Sequence, residues 1–548
     1  PDGTIVHFNK SNIKEIDDLD GYGAYKIFAF EGVQLGSEIE YYYTTKSVGD
    51  EQYGTIDVQM EVPILDYGFR IIYPSTQTYV CKSYNGLDSL QTDSITDVKD
   101  GLSLKGAFVE AFEDELFSLN DGLKQRIEYK LEYEHVDGEK VYTWQKAADW
   151  YAKTMYNSPD KAHVKAEKSA VKKLLKKLDF PAGLSNIEKV IKIENYIKVE
   201  IELEKYSKVF YAHEILEKRE YSKISSVRLF AQILKRLGIE HELVVTSNRY
   251  KKIFDGKLES YSFLNNVFLY LPNEKVYVNP SSEIHRIGTV PFGLTNQDGL
   301  FIKTIMIGSY VSAFPDVKFI TSADHIANTD NLDIKVKLVN GLTGVLAHIS
   351  RSTIGHCATS IQPYLPYLSD KQKKEVLEEF FLDIAFGAKV EGVTTENEVI
   401  SEAVKDKPFV ISGIVQLNSL IEKAGEKYLF HLGDLIGSQS ELYQDKKRKF
   451  GISNDYNRQY VRKIEFVIPK GYQVLNAFDF AINDTLVIDN QIVVQFTCSY
   501  VFKNGSLHIL IDEYYNQIDI DKKHYPTYRK VINAAADFNK KVLILRKY

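Results

Sequence analysis

The stretch "EYSKISSVRLFAQILKRLGIEHELVV", residues 220–245, is the point from which the fold is read. Val227, Phe230, Ala231, Leu234 and Leu237 recur at i, i+3, i+4, i+7 and i+10, which makes one stripe of an α-helix apolar and buried. Arg228, Gln232, Lys235 and Arg236 fall on the other side and read as its outer face. Gly238 supplies the left-handed residue that ends helices. "IEHELVV" comes next as a buried strand.

Upstream, from about 146, the pattern is helical. "QKAADWYAKTMYN" leads into "DKAHVKAEKSAVKKLLKKLDF", and "FPAG" stops that helix. Lysines 161, 165, 168, 172, 173, 176 and 177 read as a solvated face, since acidic residues surround them. Ser185 and Glu188 form a Ser-x-x-Glu capping box. Ile187, Val190, Ile191, Ile197 and Ile201 share one face of the helix it starts. Downstream, "NVFLYLPNEKVYVNP" reads as a hairpin turning at "PNEK".

Both flanks are β-rich. Before 145, "AYKIFAF", "SEIEYYYTT", "TIDVQMEVPI", "FRIIYP" and "QRIEYKLEY" alternate or carry aromatics, and "GVQLGSEIEYYY" reads as a turn feeding a long strand. After 300, "LDIKVKLVNGLTGVLAHISRS", "YVRKIEFVIPKGYQVL" and "LVIDNQIVVQFTCSYVFKNGSLHILIDEYY" read as antiparallel strands, with "KNGS" a hairpin turn. A helix over 370–386, started by Ser369 or Asp370, is inserted among them, and a helix and strand close the chain. The expected class is α+β and multidomain. An N-terminal antiparallel β-sandwich covers 1–145, an α+β domain 146–300, and a C-terminal antiparallel β region of one or two subdomains 301–548.

Bulk composition bounds the function. A chain of 548 residues is too long for one core. A formal charge of −7 argues against nucleic-acid or polybasic membrane roles. No apolar run reaches the roughly 18–20 residues that span a bilayer. Cys81, Cys357 and Cys498 are too few and too scattered for a disulfide framework or a cysteine-rich zinc site, and no cofactor or metal motif stands out. The 37 tyrosines and 29 phenylalanines accord with strand propensity, and also admit a tyrosine-bearing glycan-binding face. The chain opens on "PDGTIVHF", strand-like at once, which leaves room for a further segment upstream.

The order of elements resembles the bacterial transglutaminase-like proteins, whose papain-like core comes after a β domain of unknown function and precedes another β domain. "GVQLGSEIEYYY" is similar to that family's N-terminal Pro-Gly-x-x-x-Gly-Ser-x-x-Glu-Tyr stretch, and "YAHEILEKREYS" to its lead-in to the nucleophile. "LFAQILKRLGIEHELVV", "FLNNVFLYLPNEKVYVNPSS" and "YPTYRKVINAAADFNKKVLIL" are similar to its helix and strand, its catalytic strand pair and its closing segment. The resemblance implies acyl-transfer chemistry. A thiolate at a helix N-terminus is the nucleophile, a histidine moves the proton, and an aspartate orients the histidine.

Carried over residue by residue, the cysteine position falls on Lys223, the histidine on Asn266 and the aspartate on Asn279. A carboxamide is no general base near neutral pH, and an ammonium at a helix N-terminus is no thiolate. A slip of one or two residues would put Ser222 or Ser225 in the nucleophile position, with His213, His241 and His285 the nearest imidazoles. A desolvated Lys223 amine is a further alternative nucleophile. His356-Cys357, read as strand residues on opposite faces, cannot form a dyad with each other. Glu378-Glu379 and Asp17, Asp18 and Asp20 read as surface charge, and "GLTG" and "GYG" lack the context of a phosphate loop.

The expectation is a non-catalytic binding or scaffold component of a bacterial cell-envelope assembly. Its partners would be other envelope proteins, with a glycan as the alternative and no nucleic acid. The resemblance implies export to the periplasm or outer membrane of a Gram-negative bacterium. The rival expectation is an acyl-transfer enzyme or peptidase with a non-standard nucleophile.

Overall fold

The computed structural model describes residues 5–8, 10–16, 25–28, 30, 32–44, 52–135, 138–308, 310–339, 341–382, 388–399, 407–417, 420–443 and 447–548. Asp17, Asp18, Asp20 and the "GYG" at 21–23 lie outside these residues, as do 383–386 of the expected inserted helix. The architecture is mixed α/β, dominated by antiparallel sheets.

Pro1–Glu51 forms a unit of its own, so the expected 1–145 domain divides after residue 51. Ile13–Ile16 pairs with Tyr25–Phe28 in that unit. The long strand expected from "GVQLGSEIEYYY" does not form. Among the described residues, 37–44 have no ladder partner, and Tyr41, Tyr42 and Tyr43 are exposed. A strand is held by its neighbour's hydrogen bonds, which aromatic content alone does not supply.

The second unit, Gln52–Tyr548, opens with two three-stranded antiparallel sheets. Tyr53–Asp57, Arg126–Glu134 and Gln77–Tyr84 form one, and Tyr67–Pro74, Lys99–Gly106 and Gln91–Thr96 the other. Their shared core is small: Val58, Leu104, Val109 and Ile127. A fully bonded polar seam ties this pair of sheets to the 252–262 segment. The buried Glu128 carboxylate accepts from Thr55, Arg126, Lys252 and Ser262, at 2.8 to 3.3 Å.

The helices Trp144–Tyr156, Lys161–Leu178, Asn186–Glu200, Ala212–Lys218 and Lys223–Leu237 then pack on one five-stranded antiparallel sheet. Its order is Val276–Val278, Asn266–Leu271, Glu242–Thr246, Gln297–Ile307, Tyr310–Ile320. Strand alternation sorts the side chains. Leu243, Val245, Leu269, Leu271, Leu300 and Ile302 join the helix core, while Val244, Phe268 and Phe301 form a second layer with Val290, Leu294 and Ile320. The expected boundary at 300 therefore falls inside the Gln297–Ile307 strand, whose pairing with Glu242–Thr246 carries this sheet on to Ile320.

Local signals hold where they were read. Ser185 and Glu188 bond reciprocally, and Gly238 caps the Lys223–Leu237 helix at φ 71°. All seven lysines of the Lys161–Leu178 helix are exposed. The expected outer face of Lys223–Leu237 is corrected at Arg228, which is 0% exposed. Its guanidinium binds both oxygens of Glu167, at 2.8 and 3.0 Å, and the Thr154 carbonyl at 2.5 Å. The helix is covered on that side too, and Gln232 donates to the Met155 carbonyl at 2.8 Å.

The remainder is built on an eight-stranded sheet. Its order is Lys389–Glu396, Phe409–Leu417, Gly344–Thr353, Asp330–Val339, Arg458–Val467, Ser506–Tyr515, Gln491–Lys503, Ile482–Ile488. The purely antiparallel expectation is corrected at its centre, where Asp330–Val339 and Arg458–Val467 run parallel because the long segment between them returns to the same end. The Asp370–Leu382 helix, begun by Ser369, and the Tyr525–Asn539 helix share one contiguous apolar core with this sheet. Asn504 and Gly505 make the hairpin at φ 52° and 75°, the left-handed pair a two-residue turn requires.

Residues 248–250 are the junction of the second unit. Arg249, 1% exposed, donates to Ser453 Oγ and to the carbonyls of Asn454 and Asp455, at 2.7 to 2.9 Å. Its own carbonyl lies so close to Gly122 that a Cβ there would sit 2.5 Å away. Among the described residues no helix is long and apolar enough to cross a membrane.

Candidate functional site

The sequence directs attention to the mouth of the Lys223–Leu237 helix, and there its polar groups bind one another. Ser222 is the N-cap, in extended conformation. Ser225 N donates to Ser222 Oγ at 3.4 Å, Ser222 N donates to Ser225 Oγ at 2.8 Å, and the two hydroxyls lie 3.0 Å apart. Ser226 Oγ donates to the Lys223 carbonyl at 2.7 Å. Lys223 heads the helix and points into solvent. Tyr221, just before the cap, is buried with no partner for its hydroxyl among the described residues, and burial first, then the Glu283 charge, push its phenol further up. It stays protonated.

The other two positions do not complete a site. Asn266 pairs with Thr246 and shares the face of Phe268, the layer away from the helices. Its neighbour Val267 packs into the helix core. Asn279, 3% exposed, accepts from Ser281 N and Oγ at 3.2 and 2.7 Å, and so holds a turn. Its carbonyl accepts from Lys198 Nζ at 2.9 Å. Lys198 is fully enclosed, bound also to Glu194 at 2.7 Å and the His285 carbonyl at 2.6 Å. Burial, opposed by Glu194, brings its ammonium down to about 8.

The histidines are committed elsewhere. His241 Nε2 lies 2.7 Å from the Tyr156 hydroxyl, and its Nδ1 lies 2.8 Å from the Ile239 carbonyl. His213 stacks with Tyr211 and has a buried Nδ1 without a partner. His285 Nδ1 lies 2.8 Å from Ser282 Oγ, a serine–histidine pair that sequence reasoning missed. A Ser-x-x-His turn after the second hairpin strand was its only signal. Burial first, then His356, Lys198 and Arg286, lower this imidazole to about 3. A base that weak takes no proton from a hydroxyl.

His356 and Cys357 are corrected from strand to a short turn, Gly355–Ala358. Gly355, at φ 60°, passes where any Cβ would overlap the Ala327 carbonyl, so the strand ends at Thr353. Both residues are half-buried, and Cys357 Sγ lies 3.9 Å from the Tyr456 hydroxyl. Burial lowers His356 to about 4 and, with Asp330, raises the Cys357 thiol to about 11. Cys81 and Cys498 are pushed up to about 12 by burial. None of the three is an activated thiolate. Glu378 sits 3.7 Å from Lys374 on the outer face of its helix, and "GLTG" is a hairpin turn. Among the described residues, no three His, Cys, Asp or Glu side chains converge as a metal site would need.

Beside this region lies a cavity of about 420 Å³ between the Asn186–Glu200 helix, the 284–289 loop and residues 353–362. Ile187, Ile191, Ile284, Ile287 and Ile354 give it apolar walls, and Arg286 and Glu194 enter it. The buried Nε of Arg286 has no partner. Such a chamber can hold a ligand.

No protein-family profile and no curated protein matches the chain. Among solved structures, it is similar to a crystal structure described as a "putative protease" from Parabacteroides distasonis ATCC 8503. The TM-score is 0.53 at 11% identity, over 100% of this chain and 87% of that one. At that identity the likeness is one of fold.

Proposed function

We propose that this chain is a non-catalytic, transglutaminase-like protein that acts by binding, as a component of a bacterial cell-envelope assembly. One observation carries the reading: the serine hydroxyls at the mouth of the Lys223–Leu237 helix bond within their own turn, and among the described residues none of these bonds is to an imidazole. The neighbour described as a protease would bring peptide-bond chemistry with it. Here the one serine–histidine pair near the site has a base too weak to use, and every thiol is held protonated. The envelope location, periplasmic or at the outer membrane, rests on the resemblance of the sequence motifs. The partners are other envelope proteins meeting the broad β faces of the chain.

The test has two arms. Purified chain is incubated with a peptide library and with nitrophenyl esters, and no turnover above background is expected. Turnover removed by Ser225→Ala, Ser282→Ala or Lys223→Ala would overturn the proposal. Native membrane fractions are then solubilised and the tagged chain isolated; co-purification with envelope proteins is expected, and recovery always alone counts against it.

A further inference from the structure

The strongest unassigned feature lies far from the helix mouth, at one end of the eight-stranded sheet. Along Arg458–Val467, the residues facing the core are Arg458, Tyr460, Arg462, Ile464 and Phe466. Ile464 and Phe466 are buried in the apolar core, as that face requires. Arg458, Tyr460 and Arg462 break the pattern on the same face. Register brings further polar residues beside them. Tyr515 lies opposite Arg458, Glu513 opposite Tyr460, and Leu332 between Arg462 and Arg351. These residues line a cavity of about 500 Å³, closed below by the Tyr525–Asn539 helix and rimmed by Ser438, Gln439 and Ser440. That volume is in the range of small-molecule sites.

Charge decides what it would hold. Three guanidiniums, from Arg351, Arg458 and Arg462, meet two carboxylates, from Asp330 and Glu513. Asp330 is taken: Arg351 Nε and Nη2 bind its two oxygens at 2.7 and 2.5 Å, and Arg462 lies 3.8 Å from one of them and also donates to its carbonyl. Glu513 accepts from the Tyr515 hydroxyl at 2.6 Å, and burial pushes its carboxyl up, which only enlarges the positive excess. Arg458 donates to the Tyr456 carbonyl at 3.3 Å and lies 4.4 Å over the Tyr515 ring. Among the described residues, no carboxylate lies within ion-pairing distance of it. A half-buried guanidinium that lines a cavity without a counter-charge is stabilised when an anion joins it.

We propose that this cavity binds a small hydroxylated organic anion of the size of a sugar acid or sugar phosphate, its anionic group on Arg458. The hydroxyls of such a ligand meet Tyr460 and the rim serines, Ser438 and Ser440. The Arg458 fork suits either carboxylate or phosphate, so the experiment separates the two. The inference is independent of the proposed function above.

The full chain is titrated by calorimetry with glucuronate, glucose 6-phosphate, glucose and inorganic phosphate. Glucuronate or glucose 6-phosphate is expected to bind and raise the melting temperature, the tighter one identifying the anionic group. Glucose is expected not to bind, and inorganic phosphate to bind at least about tenfold more weakly. Arg458→Gln is expected to raise Kd about tenfold or more, the loss of one charge-assisted pair. Glu513→Gln, which fixes that side chain neutral beside the anion, is expected to lower Kd. Tyr460→Phe is expected to weaken the sugar anion severalfold and leave phosphate unchanged. No binding of either sugar anion at millimolar concentration would overturn the proposal, as would glucose binding as tightly as glucuronate. If Arg458→Gln fails to fold, the sign of the Glu513→Gln change decides: a raised Kd overturns the proposal.

Discussion

The head of the Lys223–Leu237 helix and the Arg458 end of the eight-stranded sheet invert what their positions suggest. At the first, the resembling family keeps its chemistry, yet here Ser222 and Ser225 bond each other, Ser226 bonds the Lys223 carbonyl, Lys223 is solvated, and Asn266 faces the opposite layer of the sheet. At the second, apolar side chains are expected from strand alternation, yet three guanidiniums face two carboxylates. A position in a fold confers no chemistry. Bonding capacity left over after the fold has satisfied itself does.

The hardest way to strain this contrast is to remove Arg228. If its pair with Glu167 is structural, Arg228→Ala leaves a buried carboxylate without its counter-charge and should cost about 3–5 kcal/mol in urea unfolding. A loss below about 1 kcal/mol would mean the helix is not anchored this way.

Acid probes the imidazoles next. His285 and His356 are held at about 3 and 4 in the folded chain, against 6.5 when free. The unfolded chain therefore takes up protons first as pH falls. Their contribution is complete above about pH 6.5 and is lost progressively from there toward pH 3–4. The melting temperature should fall over that window. A His285→Asn, His356→Asn double variant should fall less, so that its gap to the parent chain narrows toward acid. A constant gap would mean the two rings are not buried neutral.

A smaller effect is expected from Ser222→Ala, which removes the helix cap: about 1 kcal/mol by chemical denaturation. Smallest is Lys223→Cys, which restores the resembling family's nucleophile on an exposed position. Stability should move by no more than about 0.5 kcal/mol. Peptide and ester assays should stay at background, since an exposed thiol without a base beside it is not activated. Turnover by this variant would erase the contrast between the two regions.

What could be read from the sequence was local. Ser185 with Glu188, Gly238, "PNEK" and "KNGS" act through neighbours a few residues away, and each forms as read. What escaped depends on distant partners. Arg228 reads as a surface residue until Glu167, 61 positions earlier, is folded against it. The Gln297–Ile307 strand belongs to the central sheet only through its pairing with Glu242–Thr246. The polar cavity needed four strands in register. Its one local trace was Arg458, Tyr460 and Arg462 at two-residue spacing, running straight into Ile464 and Phe466.

Arg249 has a practical corollary for anyone dissecting this molecule. Its guanidinium is solvated by Ser453, Asn454 and Asp455, two hundred residues downstream, while its backbone presses on Gly122 upstream. A fragment trimmed at residue 320 would strip that cation of its acceptors and expose a socket built for another part of the chain. Excised pieces should aggregate where the intact second unit melts in a single cooperative step.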